Sequence, residues 1–329
     1  MELLHAVRGN QPPYKGLPVP MENSERNLPM QLHRPKDCPA PEDRLQFAGL
    51  EPVIVGMPEL CRVGLSENWL LKACGHRHWL SLATAHDIPH PHFTNEAGDR
   101  LYPAFTMITV RDALLEAVRE NDWLEFFVDL RRIGRTRFAS EIVVSVGGLC
   151  IARLRMETTF VRRAVPGQNR SATRSAVAEP CHLPPPASVA VRPFRIEAWD
   201  ICKGFKREEA RDLARLTIDP SPHEDFNGAD FLYFSAFQAM IDRAEWQWLR
   251  RASPPLATVE RTIHYVGNIE LGDRVNAQLR GMRECSGMVS HWVELRRESD
   301  DALIALSFTR RQNARAFGLQ QSSSLLRPA

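Results

Sequence analysis

The sequence predicts an α+β fold in which two long helices are each wrapped by an antiparallel sheet. Three observations support this prediction: the chain has two helix-like apolar segments, strand-like segments follow each of them, and both sets occur in the same order. Ser66 and Asn227 mark corresponding positions at the starts of the two sets. With 329 residues, of which 43% are hydrophobic, the chain is long enough for two such units. We therefore interpret it as an internal duplication.

In the first half, a turn leads into a helix-like run from Leu65 to about Leu82. Period-2 segments follow, as half-buried strands require. The clearest, "CIARLRMETTF", places alternate residues on one face and charged residues on the other. The inward set is Cys150, Ala152, Leu154, Met156 and Thr158. The segments "TRFASEIVVSV" and "LEFFVDLRRI" alternate less regularly but are rich in strand-forming residues.

In the second half, a turn at Asp225 leads into a helix with one apolar stripe. The stripe consists of Phe234, Phe237, Ile241, Ala244 and Trp248, at helical spacing. Four strand segments follow: "RTIHYVGNIELGDRV", "VNAQLRGM", "MVSHWVEL" and "ALIALSF". In the second of these, Val275, Ala277 and Leu279 are predicted to point inward.

A long apolar helix cradled by an antiparallel sheet is the arrangement of the hot-dog fold. Such units usually pair, so a chain with two of them can form the pair within itself, as a double hot-dog. We predict four regions: an extended, Pro-rich leader over residues 1–50, a first unit over 51–165, a Pro-rich linker over 166–193 and a second unit over 194–329.

Composition excludes several classes of protein. The formal net charge of +2 is spread along the chain, which argues against a nucleic-acid binder. Seven scattered cysteines without a CxxC pair predict neither a disulfide framework nor a zinc site. The chain shows no secretory signal and no apolar run of spanning length, so we expect a cytoplasmic protein without membrane contact.

Two further site types find no support in the pattern. Cys74, His76 and His78 are close in sequence, but residues two apart on a helix do not share a face. We expect surface or packing histidines there and no metal site. Phosphate-binding glycine loops are also missing, so no nucleotide chemistry is predicted.

The stretch "DFNGADFLYF" is the strongest candidate for a functional site. A helix start presents unpaired backbone N–H groups, which suit a carbonyl oxygen that gains negative charge. We predict that Asn227, Gly228 and the amides beyond them form an oxyanion site, with Asp225 as a base or water-orienting group. The alternative is a plain helix cap by Asp225 or Asn227. Asp230 is predicted as a cap, and Tyr233 as a hydrogen-bond donor to the substrate or to backbone.

The corresponding position in the first half is "SENW". Ser66 is predicted to cap the first helix or to contact substrate, and Glu67 is favourable in a first helical turn. Alternatively, the side chains of Glu67 and Asn68 each face the functional site.

The segment "DFNGADFLYFSAF" resembles the helix-start motif of hot-dog thioesterases. It is still more similar to the C-terminal half of the double-hot-dog acyltransferase/decarboxylases of the leinamycin-pathway type, found in bacterial polyketide clusters. "GMPELCRVGLSENWLLKACGHRHW" is similar to the N-terminal motif of that group, and "YVGNIELGDRV" to its strand-turn-strand. The sequence departs from ordinary thioesterases at Ala229, where a His is common.

The resemblance implies an acyl thioester substrate on coenzyme A or on the phosphopantetheine of an acyl carrier protein, and no other cofactor. Acyl transfer to the carrier, with decarboxylation, is the implied activity, and Tyr102 lies about where that group has an active-site tyrosine. A thioesterase, a dehydratase and a non-catalytic acyl-carrier-binding protein are the alternatives. An acidic carrier protein would be complementary in charge to a rim of arginines, such as Arg250, Arg251, Arg310 and Arg311. The sequence is also compatible with a homodimer.

Overall fold

The structure is a computed structural model that describes residues 51–185, 194, 199–249 and 256–313. The predicted leader, part of the predicted linker and the arginines Arg250 and Arg251 lie outside these residues. Within these ranges, the chain folds into two long helices and sixteen strands.

The first half contains one long helix and nine strands. They are β1 (Val53–Ile54), β2 (Leu60–Cys61), β3 (Gly64–Leu65), α1 (Glu67–Ala85), β4 (Phe93–Thr94), β5 (Arg100–Arg111), β6 (Trp123–Arg132), β7 (Arg137–Val146), β8 (Leu149–Arg163) and β9 (Ala172–Arg174).

The second half repeats the pattern of one long helix followed by four long strands. Its elements are β10 (Ile201–Cys202), β11 (Phe205–Lys206), β12 (Ala214–Ile218), α2 (Phe234–Leu249), β13 (Leu256–Tyr265), β14 (Val275–Cys285), β15 (Met288–Arg297) and β16 (Leu303–Asn313).

The long strands of both halves form one antiparallel sheet. Its order is β1-β6-β7-β8-β5-β13-β16-β15-β14-β12, with β4 on β5 and β9 on β8 at its margins. Each half therefore contributes five neighbouring strands in the same relative order. The halves meet where β5 pairs with β13, over Met107–Val110 and Arg261–His264.

Alternation along the strands decides which side chains pack under the helices. In β8, Ala152, Leu154, Met156 and Thr158 are fully buried, as predicted for the inward face, whereas Cys150 is only half-buried. The first core joins such residues to Leu70, Leu71 and Cys74 of α1. The second core surrounds Phe237, Met240 and Ile241 of α2 and includes the predicted Val275, Ala277 and Leu279.

A long helix packed on an antiparallel sheet is the hot-dog arrangement that the sequence predicts. Two element ends differ from the prediction. The second helix begins at Phe234, well beyond Asn227, because the residues from Phe226 to Leu232 fold back on themselves first. The strand predicted in "RTIHYVGNIELGDRV" ends at Tyr265.

The region around the predicted linker carries structure of its own. Ala172–Arg174 pairs with β8 as β9. Further along, Trp199 and Phe205 pack on Trp292 and Phe308, on the face of β15 opposite Val293 of the α2 core. The domain boundaries given above stay a prediction. Within the described ranges, neither helix is long and apolar enough to cross a membrane.

Candidate active site

A cleft of about 1120 Å³ lies where the two halves separate. Beyond the paired residues, β5 and β13 diverge, and the cleft opens between residues 102–106 on one side and residues 265–268 on the other. The start of α2 and the turn before it, including Asn227, Gly228 and Ala229, complete the lining. The segment singled out in the sequence therefore reaches a large open cleft.

Asn227 organises the turn that precedes α2. Its side-chain oxygen accepts hydrogen bonds from the amides of Ala229 (3.0 Å) and Phe231 (3.2 Å), and its own amide donates to the Phe231 carbonyl (2.9 Å). Asp230 completes the turn with a left-handed backbone, φ 58°. The Asn227 oxygen is thus used within the turn, and it does not cap α2, which begins only at Phe234.

Gly228 presents open backbone to the cleft. A Cβ added there would meet no atom within 4 Å, so the cleft reaches this residue freely. Among the described hydrogen bonds, none gives an acceptor to the Gly228 amide or to the side-chain nitrogen of Asn227. Both donors are therefore available to a ligand.

Three polar side chains fix the turn from outside. The Arg163 guanidinium lies 3.9 Å from the centre of the Phe231 ring and donates to the Ala229 carbonyl and to Asn169. The side-chain amide nitrogen of Asn169 donates to the Asp230 carbonyl at 2.6 Å. Asn268 accepts from the Leu232 amide at 3.0 Å. Arg163 and Asn169 belong to the first half, so that half positions the turn of the second.

The inner end of the cleft is aromatic. The Phe105 and Phe234 rings lie 4.4 Å apart, and Trp79 and Tyr233 pack around them. The Tyr265 hydroxyl donates to the Phe234 carbonyl at 3.2 Å. Burial raises the pKa of Tyr233 to about 12, which keeps its hydroxyl a neutral donor. Such a lining suits an apolar group.

Tyr102 and Tyr233, both predicted from sequence, line the cleft. The Tyr102 ring packs edge-on against Phe231 at 5.3 Å, so it adjoins the turn. Asp230 is not a helix cap, because α2 begins only at Phe234; its carbonyl instead accepts from Asn169.

Asp225 lies behind the turn. Its side chain is 3% exposed, accepts from the Ser221 amide at 2.8 Å and lies 3.8 Å from Arg243. It is not among the residues that line the cleft. A buried carboxylate held by a backbone amide and an arginine is placed to brace the loop, so its predicted role as a base has no geometric support.

The first-half candidates Ser66, Glu67 and Asn68 lie at the start of α1 and do not line the cleft. Ser66 caps α1 by accepting from the Trp69 amide at 3.3 Å, as one alternative predicted. Asn68 donates to the Ser235 carbonyl (2.7 Å) and to Gln238 (3.0 Å), so it joins the two helices.

Glu67 belongs to a buried cluster of charges that we call the Arg261 cluster. It consists of Glu67, Asp242, Glu245, Arg261, His291 and Arg311. Arg261 contacts Glu67 at 2.7 Å, Asp242 at 2.7 Å and Glu245 at 3.2 Å. Although burial opposes its charge, Arg261 and Arg311 hold the pKa of Glu245 well below its usual value. Arg311, predicted as part of a docking rim, is instead inside this cluster.

Cys74 and His78, which are close in sequence, both serve packing. His78 is fully buried between Ser140 (2.6 Å) and Thr158 (2.8 Å), and burial lowers its pKa to about 3. Burial raises the pKa of Cys74 to about 12, against the smaller influence of Arg77. This arrangement agrees with the expectation of packing residues.

Some functional positions could not be found from the sequence. Arg163 and Asn169 contact the turn across more than fifty residues of chain, so no local pattern marks them. His264 lines the cleft and stacks on Phe194 at 3.8 Å. Burial, with the nearby charge of Lys203, lowers its pKa to about 4, so its imidazole is neutral at pH 7.

Solved structures of thioesterases share this fold. The chain is similar to an acyl-ACP thioesterase of Bacteroides thetaiotaomicron (TM-score 0.52, 11% identity, 80% of this chain and 96% of that chain). It is also similar to the 12:0-ACP thioesterase of Umbellularia californica (TM-score 0.54, 11% identity, 80% and 92%). A third similar structure is described as an oleoyl thioesterase of Lactobacillus plantarum (TM-score 0.57, 12% identity, 80% and 95%).

No family model and no curated protein matches the sequence. At 11–12% identity the structural likeness establishes the fold alone. The matches cover 92–96% of the length of these three structures.

Proposed function

We propose that this protein is a double hot-dog enzyme that processes an acyl thioester at the cleft before α2. The proposal rests on the cleft itself. It has an open mouth, the hydrogen-bond donors of Asn227 and Gly228 in its wall, and an aromatic inner end. The acyl group would occupy the aromatic end. The thioester carbonyl would lie at the turn, where the Gly228 amide and the Asn227 side-chain nitrogen donate to its oxygen.

We favour acyl transfer to a thiol, with hydrolysis as the alternative. Hydrolysis needs a base for water, and the carboxylate and imidazole groups among the described lining residues are those of Glu157 and His264. Glu157 is held by Arg137 (2.9 Å) and Arg155 (2.8 Å), and His264 has a pKa of about 4. A thiol, with a pKa of about 8.5, ionises far more readily than water, so acyl transfer to a thiol depends less on a general base of the protein.

In the proposed reaction, the thiolate of the acceptor attacks the carbonyl carbon, and the electron pair moves to the carbonyl oxygen. The donor thiolate then leaves and takes the proton that the acceptor released. With an acyl group that carries a carboxylate on the α-carbon, such as malonyl or methylmalonyl, loss of CO2 would leave the electron pair of the broken C–C bond in an enolate, whose oxygen needs the same two donors; a proton from solvent would then return to the α-carbon. The thioester is already activated, so the proposal includes no further cofactor.

Hydrolysis keeps its place as the second candidate because acyl-ACP thioesterases have this fold. A direct comparison separates the two. The protein is incubated with propionyl-, malonyl- and methylmalonyl-CoA, with and without pantetheine as thiol acceptor, and products are followed by mass spectrometry. Acyl-pantetheine is the expected product. Free acid as the only product would show that the protein hydrolyses the thioester and does not transfer the acyl group.

Substitutions at Asn227 test the assignment of the donors. Asn227→Asp keeps an oxygen acceptor for the amides of Ala229 and Phe231 but removes the side-chain N–H donor. We expect a folded protein whose kcat falls by about 10²–10³, the usual loss for one oxyanion donor. Full turnover in this variant would restrict Asn227 to its role within the turn. No turnover of any thioester by the wild type would leave a protein that only binds acyl thioesters.

A further inference from the structure

The arginines of the cleft fall into two groups. Five arginines line it: Arg100, Arg137, Arg170, Arg174 and Arg297. Three of them are neutralised by carboxylates: Arg137 by Glu157 (2.9 Å), Arg170 by Asp273 (2.6 Å) and Arg297 by Asp300 (2.8 Å). No ion pair joins the other two to a carboxylate of the described residues.

These two arginines, Arg100 and Arg174, lie around Tyr102 at the mouth. Tyr102 pairs with Val161, and Val161 pairs with Arg174, so the three form one row across β5, β8 and β9. Neighbouring strands are about 4.8 Å apart, which puts the Tyr102 and Arg174 backbones about 10 Å apart. Arg100 precedes Tyr102 by two residues on the same side of β5, and its guanidinium lies 5.7 Å from the tyrosine ring.

This geometry places two exposed arginines, Arg100 and Arg174, near Tyr102, whose ring also lies 5.6 Å from the Arg163 guanidinium. Guanidinium groups bind phosphate and carboxylate through paired N–H donors, and a phosphate can accept from both arginines at once. The three neutralised arginines of the lining cannot take that role without breaking their ion pairs. An anion of the ligand is therefore expected at the mouth and not at the aromatic end.

We infer that Arg100 and Arg174, with the Tyr102 hydroxyl, form a binding site for the phosphate that ends the pantetheine arm of the substrate. This inference rests on the proposed function, because the acyl group at the aromatic end directs the arm toward the mouth. The phosphate is common to coenzyme A and to a carrier protein, so the site serves donor and acceptor alike.

Binding of free ligands tests the site without turnover. The Kd values of 4′-phosphopantetheine and pantetheine are measured by calorimetry on the full-length protein. We expect the phosphate to tighten binding at least about tenfold, and the Arg100→Gln/Arg174→Gln double variant to reduce this preference to about twofold or less. Each single variant should lose part of it, and raised salt should weaken it. The control Arg215→Gln changes an exposed arginine on β12, far along the sheet, and should keep the wild-type preference.

Further outcomes separate this site from the proposed function. Thioester turnover without any phosphate preference would overturn the site and leave the function. Phosphate preference that depends on both arginines, in a protein without turnover, would support the site and overturn the function. Tighter binding of malonyl-pantetheine than of propionyl-pantetheine, lost in the double variant, would assign the arginines to an acyl carboxylate and overturn the phosphate inference.

Discussion

Single residues in this protein show how a polar group acquires its role from what surrounds it. Asn227 and Asp225 are two residues apart in sequence, yet Asn227 reaches the cleft while the Asp225 side chain is 3% exposed behind the turn. The difference arises because the turn from Phe226 to Leu232 reverses the chain between them and the helix. A functional assignment from residue type alone would treat both as site residues.

Titration of His78 offers a prediction at this scale. Its pKa is lowered to about 3 by burial, so the unfolded chain, with a pKa near 6.5, binds the proton more readily. Stability from this group is complete above pH 6.5 and falls as pH decreases toward 3, by roughly 1.4 kcal/mol per pH unit. We expect His78→Gln to be less stable at pH 7 but to lose less stability between pH 6.5 and 5.

Urea denaturation of wild type and variant at several pH values measures this difference. Over that interval the two curves should converge by roughly 2 kcal/mol. The control His76→Gln removes an exposed imidazole from the same helix and reports what loss of a surface histidine does. A constant gap between wild type and His78→Gln at all pH values would contradict the prediction.

At the scale of elements, the crossing of α1 and α2 depends on one glycine. A Cβ on Gly75 would lie 2.5 Å from the tip of the Phe234 ring. That ring cannot move easily, because Trp79, Phe105 and Tyr233 surround it. The close approach brings the start of α2 against the middle of α1 and so shapes the aromatic end of the cleft.

Gly75→Ala should therefore destabilise the protein although alanine favours a helix. The helix gains about 1 kcal/mol from the substitution, whereas overpacking costs about 1–3 kcal/mol. We expect a net loss in the free energy of unfolding and a change in the KM for acyl thioesters. Gly75→Ala/Phe234→Leu makes room for the new methyl group and should recover stability; a more stable single variant would show that the ring moves freely.

At the scale of the whole molecule, the two halves are joined by sheet pairing and by buried polar contacts. β5 pairs with β13, Asn68 of α1 bonds to α2, and Glu67 reaches into the Arg261 cluster of the second half. Arg163 and Asn169 of the first half hold the turn of the second. The cleft therefore exists only when both halves are in place.

The Arg261 cluster gives the prediction for this scale. Glu67→Ala removes one of the three carboxylates that are ion-paired with the buried Arg261 and leaves the Thr258 hydroxyl without its acceptor. Loss of one partner of a buried ion pair typically costs about 3–5 kcal/mol, so we expect a loss of about 3 kcal/mol in the free energy of unfolding. Denaturation followed by fluorescence and by circular dichroism should show one coincident transition at lower denaturant.

The matched control is Glu298→Ala, which breaks an exposed pair with Arg274 at 3.1 Å. An exposed pair contributes about 1 kcal/mol at most. Two separate transitions in the Glu67→Ala protein, or a loss no larger than that of the control, would mean that the cluster does not couple the halves.

The strands and helices followed from the sequence because their signals are local. The period-2 face of β8 and the apolar stripe of α2 depend only on the geometry of a strand and a helix, which each segment carries with it. The capping role of Ser66 is local for the same reason. The start of α2 was placed too early, since the reversal at Phe226–Leu232 depends on anchors elsewhere in the chain.

The sequence by itself determined the two helix–sheet units, their order and the segment that reaches the cleft. Only the tertiary structure decided that Glu67 and Asn68 join the halves, that Asp225 lies behind the turn and that Arg163 and Asn169 fix it. The physical reason is the range of the interactions. Periodicity is encoded within a few residues, whereas burial and ion pairing depend on which distant strand or helix comes to lie beside a side chain.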